Sequence, residues 1–415
     1  MKKNGFTLVE LLSIVVILGI IVVVALPQIS GSIGSKKEKQ YNKIVKIVEN
    51  AGKVYLTENV TRDSVSIDKL IKSDYLTSGL KNPINNTPLT GCVKKITSDG
   101  VTKYKYEVDN CPNYLTTYIM DLYDNEETSI ENGLKKDNTP DQNIRYYGSN
   151  PNNYVSFNNE LWRIIGVFGN NVKLVRSEKL GDLSWDSSEE SINAGGGVNE
   201  WSQADLQVYL NKMYYGGTSV TCYNGENNTT TTCPTGTIDE TSKSLIDYHT
   251  WNTGAPNYNT LYNSTTKSFD TIEFYKAERG SANGKTCSSG TYCNDTVTRT
   301  TEWPGYIGLP YVTDWAYASG EDDCNTKIDV SSTYKCKNNN WMHYGSTNND
   351  TTWVMSPFAL PVNANVVWHV RGGGRTGNVG AARPLSAFPT IYLKSNVLID
   401  SGNGTSSDPY ILSGN

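Results

Sequence analysis

A single carboxylate interrupts a long apolar run near the start of the chain. Between Leu8 and Leu26 the residues read L-V-E-L-L-S-I-V-V-I-L-G-I-I-V-V-V-A-L, and only Glu10, Ser13 and Gly19 are not plainly apolar. At ~1.5 Å per helical residue, a run of this length matches a hydrocarbon core of ~30 Å. A carboxylate in that setting costs roughly 2.5–3.5 kcal/mol on insertion scales. Glu10 therefore calls for a cationic partner, and the chemistry it points to is an ion pair formed inside an apolar assembly.

Further groups of residue types could do chemistry. The eight cysteines avoid the apolar run and fall into near neighbours: Cys92 with Cys111, Cys222 with Cys233, Cys287 with Cys293, and Cys324 with Cys336. Eight cysteines permit many connectivities, so this local disulfide pairing is an expectation from spacing alone. An even, local set implies an oxidising compartment, hence the cell exterior. No C-x-x-C is present and His249, His343 and His369 are scattered, so neither a metal site nor a cofactor is expected. The Glu321-Asp322-Asp323 run could help bind calcium, although a lone acidic triplet is more often a solvated loop. No nucleophile elbow or phosphate loop stands out, so no catalytic residue is assigned and no enzymatic activity is expected.

A binding surface is more plausible. W-H-V-R-G-G-G-R-T-G-N-V-G (368–380) combines Trp368, His369, Arg371 and Arg375 with a glycine-rich loop. Aromatic rings stack on sugar or peptide faces, and arginines supply forked donors. Trp341, His343 and Trp353 complete the candidate ligand-binding set. The competing account is that the tryptophans fill the core and the glycines turn a hairpin.

Elements must position these residues. The chain has 415 residues, enough for two or three domains, with 42 acidic and 37 basic residues and a net charge of −5. That acidic balance argues against nucleic acid as a partner. With 27 Tyr and 9 Trp, and Asn, Thr, Ser and Gly crowding its second half, the chain suits a loop-rich, exposed β protein. Pro27 predicts a kink where the apolar run ends. From Lys36 a helix is predicted, because Ile44, Ile47, Val48, Ala51, Val54 and Tyr55 recur at helical spacing and form a stripe to pack on a small sheet. A short helix over 66–76 opens at Ser66, and a hairpin is predicted around Ser98-Asp99-Gly100, close enough for Cys92 and Cys111 to bridge. Residues 113–145 read as one more helix and a polar hinge. Residues 154–177 read as consecutive strands turning at Gly169-Asn170-Asn171, and 201–211 as a helix capped by Ser202 with Leu206, Tyr209, Leu210 and Met213 on one side. The fold class is α+β: a long N-terminal helix with a small β-hairpin module (28–112), a linker (113–145), and a β-rich domain (146–415).

The N-terminus, K-K-N-G-F-T-L-V-E-L-L-S-I-V-V-I-L-G-I-I-V-V-V-A-L-P-Q, resembles the class III signal of type IV pilins and pseudopilins. The resemblance implies a leader over 1–5, cleavage between Gly5 and Phe6 by a prepilin peptidase, N-methylation of Phe6, and a transmembrane and assembly helix over 6–27. In a filament, Glu10 of one subunit would face the Phe6 amine of a neighbour, which supplies the missing partner. The resemblance further implies single-pass insertion in the cytoplasmic membrane with the N-terminus inside, then a place in a surface pilus. Other pilin subunits and the peptidase are the implied partners.

The later chain, from Y-V-S-F-N-N-E-L-W-R-I-I-G-V-F (154–168) to A-R-P-L-S-A-F-P-T-I-Y-L-K-S (382–395), resembles Trp-rich bacterial surface domains of the C-type-lectin-like fold, shared with formylglycine-generating enzymes. This resemblance implies a closing strand paired with the opening strands. It does not carry the enzymatic activity over, since all eight cysteines are expected in pairs. The expectation is a minor or tip pilin that displays an adhesive domain for a surface glycan or protein. The alternatives are a pseudopilin of a secretion or DNA-uptake apparatus and a membrane-tethered enzyme on the formylglycine-generating fold.

Overall fold

The computed structural model describes residues 33–60, 62–109, 111–188, 196–282, 285–286, 300–329, 335–343, 351–359 and 364–414. Gly5, Phe6, Glu10, Pro27 and the expected Cys287–Cys293 pair lie outside them. Among the described residues no helix is long and apolar enough to cross a membrane. The chain divides into two units, residues 1–113 and 114–415.

In the first unit, α1 (Ile33–Glu58) carries the expected stripe. Ile44, Val48, Ala51 and Tyr55 are buried, with Ile47 and Val54 at the half-buried margin. The stripe packs on an antiparallel sheet of β1 (Ser64–Ser66), β2 (Cys92–Ser98) and β3 (Val101–Glu107), in that order. Gly52 allows the close approach, because a Cβ there would meet Val93 Cβ at 2.4 Å. The helix opened by Ser66 is the shorter α2 (Ile67–Lys72); the Ser66 side chain accepts the Lys69 N–H. Asp99 and Gly100, at φ 52° and 74°, form the two-residue turn between β2 and β3 that matches strand twist. Cys92–Cys111 ties the first residue of β2 to the segment beyond β3.

The second unit starts earlier than the sequence suggested. Residues 114–145, expected as a linker, form α3 (Leu115–Tyr123), α4 (Glu126–Asn132), β4 (Leu134–Lys136) and the start of β5 (Ile144–Tyr146). Leu115, Ile119 and Met120 give α3 an apolar face on the core. Asn125 caps α4, and Gly133 ends it at φ 67°. The polar run after it stays inside because Asp137 gathers hydrogen bonds from its own loop.

Strands then dominate, as expected. The sequence continues with β6 (Tyr154–Phe157), β7 (Glu160–Phe168), β8 (Asn171–Arg176) and β9 (Gly181–Leu183). The region expected as a helix over 201–211 divides: Trp201–Gln203 is one 3-10 turn, α5 is Asp205–Val208, and a π-helical stretch runs Tyr209–Tyr215. Ser202 does not cap it, since its hydroxyl donates to Glu200, and Ala204 holds the cap position. Leu206, Tyr209 and Leu210 are nevertheless buried together, with Met213 packed against them. Next come α6 (Thr271–Glu278), β10 (Ile307–Gly308) and α7 (Val312–Tyr317). The closing strands are β11 (Thr352–Pro357), β12 (Val366–Arg371), β13 (Arg375–Gly380), β14 (Leu385–Ala387), β15 (Thr390–Leu393), β16 (Leu398–Ser401) and β17 (Tyr410–Ser413).

Nine of these strands make the main sheet, in the order β10-β15-β8-β7-β6-β17-β16, with β4 and β5 added beside β7. Its neighbours are antiparallel except β17 on β6. The A-R-P…Y-L segment thus does pair with an opening strand: Thr390–Leu393 lie against Val175–Val172. A second sheet runs β13-β12-β11-β14-β9. Trp162, Trp185, Trp201, Trp251, Trp353 and Trp368 are among its largest fully buried side chains, so aromatic bulk builds this core. The ends of the unit meet, with Tyr114 bridged to Leu398 and the Leu115 N–H donating to Val397 O.

Candidate functional site

Four charged side chains meet in the interior of the second unit. Arg145 comes from β5, Lys173 from β8, Asp314 from α7, and Asp137 from the loop after β4. Arg145 Nε donates to Asp137 Oδ2 at 2.7 Å and Nη1 to Asp314 Oδ1 at 2.7 Å. Lys173 Nζ lies 2.5 Å from Asp314 Oδ2. All four side chains are at most 1% exposed, so water screens none of these contacts. Burial alone would raise the Asp137 carboxyl, but Arg145 with the Thr139 and Asn143 hydrogen bonds holds it below the usual range. Burial likewise opposes Lys173 and Arg145 at Asp314, and the cations prevail. Burial draws the Lys173 amine down to about 8 against the pull of Asp314. Beside this group Glu278, at the end of α6, accepts from Thr313 N at 3.3 Å and Thr313 Oγ1 at 2.5 Å. Burial pushes its carboxyl up to about 7.

Helix α7 serves a second place as well. While Asp314 points into the charge cluster, Tyr311 and Trp315 line a small, shallow cleft. Met342, His343, Val370 and Arg371 form other parts of its wall. Trp315 is 2% exposed, and its Nε1 has no hydrogen-bond partner among the described residues. A buried donor left unmatched is costly. The cleft thus sets an indole N–H near an imidazole and a guanidinium among apolar walls.

The structure places the sequence candidates unequally. His343 and Arg371 reach the cleft. Arg375 pairs with Arg371 across the turn of the β12–β13 hairpin and is half-buried. Trp341, Trp353 and Trp368 do not offer ring faces for stacking. They are at most 5% exposed, and their indole N–H groups donate to Tyr146 O, Leu183 O and Pro256 O. Trp368 packs instead among Phe269, Phe274 and Phe358. His369 is buried too, its Nε2 accepting from Arg371 Nε at 3.1 Å. Trp353, Trp368 and His369 are core because β11 and β12 are covered on both faces rather than one, and Trp341 is buried in the turn before them. His249 sits 3.1 Å from Asp247 Oδ2.

Asp323 of the acidic triplet pairs with Lys335, and among the described residues no cluster of three metal-ligating side chains exists. The pairs Cys92–Cys111, Cys222–Cys233 and Cys324–Cys336 are all disulfide-bonded. The charge cluster escaped the sequence reading. Its one visible signal was Lys173 inside the apolar strand N-V-K-L-V-R, a charge where a two-sided strand leaves no water.

Residues 1–26 match the family model described as the prokaryotic N-terminal methylation motif. No curated protein and no solved structure matches the chain. The matched motif gives the chain a type IV prepilin-like N-terminus, that of a pilin-like or pseudopilin subunit. It implies membrane insertion, processing by a prepilin peptidase and assembly with other pilin subunits.

Proposed function

From a prepilin-type N-terminus as premise, we propose that the chain is a minor or tip subunit of a type IV pilus-like filament. Its second unit is an adhesive domain of the C-type-lectin-like class, carried to the cell exterior. The observation that carries this reading is the joining of a short assembly signal, residues 1–26, to a unit as large as residues 114–415. Such a mass is hard to accommodate at every helical position of a shaft and easy to accommodate at its end. Three disulfides among the described residues favour an oxidising exterior. The closure of β15 onto β8 and the tryptophan-filled core support the fold assignment.

The cleft beside α7 is the binding site in this reading. Its apolar wall and its Trp315, His343 and Arg371 donors suit a sugar or peptide group on a host or neighbouring surface. In this reading the domain acts by binding.

N-terminal mass spectrometry of the protein from its native host tests the first half. A mature chain beginning at methylated Phe6 is expected, and an unprocessed Met1 overturns the reading. Binding of filaments to glycan and cell-surface panels tests the second. Arg371→Ala should reduce the signal at least several-fold without loss of filaments. Equal binding by the wild type and by filaments lacking this subunit would remove the adhesive role.

A further inference from the structure

Lys173 and Asp314 are 141 residues apart in the chain and touch at 2.5 Å, Nζ to Oδ2. Aromatic rings enclose the amine: Tyr311 lies 4.2 Å from Nζ, Phe168 and Tyr392 at 5.4 Å, and Trp251 at 5.6 Å, each to the ring centroid. The acceptor is held as firmly. Asp314 Oδ1 takes the Arg145 Nη1 hydrogen bond at 2.7 Å, and Oδ2 takes the Tyr311 N–H at 3.0 Å. An amine and a carboxyl group are thus fixed in contact at a site closed to bulk solvent.

We propose that Lys173 and Asp314 condense to an intramolecular amide bond, a covalent staple between β8 and α7. Nζ passes one proton to Oδ2 along their hydrogen bond. The neutral amine then adds to Cγ, and Oδ1 takes the electron pair under the Arg145 N–H. A second proton moves from nitrogen to the departing Oδ2 hydroxyl, which leaves as water while the carbonyl re-forms. Ammonium and carboxylate become amide and water, so charge and atoms balance with no oxidant or co-reactant.

Three features favour the product. Effective molarities for well-oriented intramolecular reactions reach ~10⁵–10⁸ M, which offsets the reluctance of amines and carboxylates to condense in water. The product removes an ammonium and a carboxylate from a place where both are desolvated. It leaves Arg145 and Asp137 as a matched pair of opposite charges. The proton transfer runs uphill, since burial is outweighed by Lys173 and Arg145, which hold Asp314 ionised. The reaction is accordingly slow, but each chain needs it only once. Burial brings the Lys173 amine down to about 8, which shortens the climb.

Mass spectrometry of the full chain, solubilised from membranes, reduced and digested, decides the matter. The expected result is a linked pair of peptides joined through Lys173 and Asp314, lighter than the two separate peptides by one water. Lys173→Arg, which keeps the charge but not the nucleophilic amine, and Asp314→Ala should abolish the linked species. Quantitative recovery of the two unlinked peptides from folded wild-type protein overturns the proposal, and that result needs no variant to fold.

Discussion

Arg145→Met tests whether the interior of the second unit depends on its matched charges. The substitution keeps an unbranched side chain against Phe168 and Tyr317, whose ring centroids lie 4.6 and 4.8 Å from the guanidinium carbon. What it removes is the cation 2.7 Å from Asp137. Breaking a buried pair by deleting one partner costs roughly 3–5 kcal/mol. Asp137 retains hydrogen bonds from Thr139 N and Oγ1 and from Asn143 N and Nδ2, so the loss belongs at the lower end, about 3 kcal/mol. At roughly 2–4 °C per kcal/mol for a large domain, melting should fall by about 6–12 °C, read by circular dichroism on the purified chain. The pH dependence fixes the mechanism. Asp137 has a folded pKa below its unfolded value, so its contribution is complete above the unfolded carboxylate value of ~3.9 and is lost as pH falls through the folded one. Without Arg145 the folded value rises. The gap between wild type and variant should therefore be widest near neutrality and narrow below about pH 4. A fall under about 2 °C at neutral pH, or a gap that does not change with pH, refutes the reasoning. The direction of the change is the same whether Asp314 is ionised or joined to Lys173, because the Asp137 contact exists in both, while an ionised Asp314, also 2.7 Å from Arg145, adds to the loss.

Other outcomes follow from the same geometry. Trp368→Ala should destabilise by about 3–5 kcal/mol in a denaturant titration, as for an aromatic removed from a packed core. Arg371→Ala should change stability far less and weaken surface binding. His369 should show no imidazole titration by NMR between pH 5 and 8, because burial, with Arg371 and Arg375 nearby, lowers it from 6.5 to about 3. The unfolded imidazole protonates first, so His369 contributes stability that is complete above 6.5 and is lost as pH falls towards 3. Glu10→Ala should leave the chain in the membrane and reduce its recovery in sheared filaments. Normal incorporation would show that Glu10 forms no assembly contact.

What was legible in the sequence is local. The α1 stripe, the Ser66 cap and the Asp99-Gly100 turn each rest on residues a few positions apart, where helix period, side-chain capping and positive φ act directly. The cysteine pairs belong with them, at separations of 11 to 19 residues. What escaped is long-range. Polar composition made 125–142 look like a hinge, yet Asp137 is interior because Arg145 meets it, and Arg145 is interior because Asp314, 169 residues on, meets it too. The tryptophans misled for a related reason. Aromatic residues beside arginines and glycines read equally well as a stacking surface or as a core. The choice depends on which faces of β11 and β12 other elements cover, and no local spacing encodes that.

The charge cluster remains strange as a purely structural device. Replacing a buried ion pair with well-packed apolar residues is often neutral or stabilising. Lys173 and Asp314 could therefore be exchanged for such residues without loss of stability, unless the charges do something else. Their position suggests what. A tip adhesin is loaded between its ligand and its anchored end. In the proposed arrangement the ligand pulls on the cleft, whose wall is α7, and the second unit is held at Tyr114, which leads into α3 against β7 and β8. Asp314 on α7 and Lys173 on β8 join an element of the cleft wall to a strand that α3 packs against. Under steady tension an ion pair opens when water enters and screens it, since its attraction depends on the low dielectric around it. An amide does not open. Two charges kept at bonding distance in a dry aromatic site make poor stabilisers and good reactants, and a domain built to hold on under load has use for the bond they form.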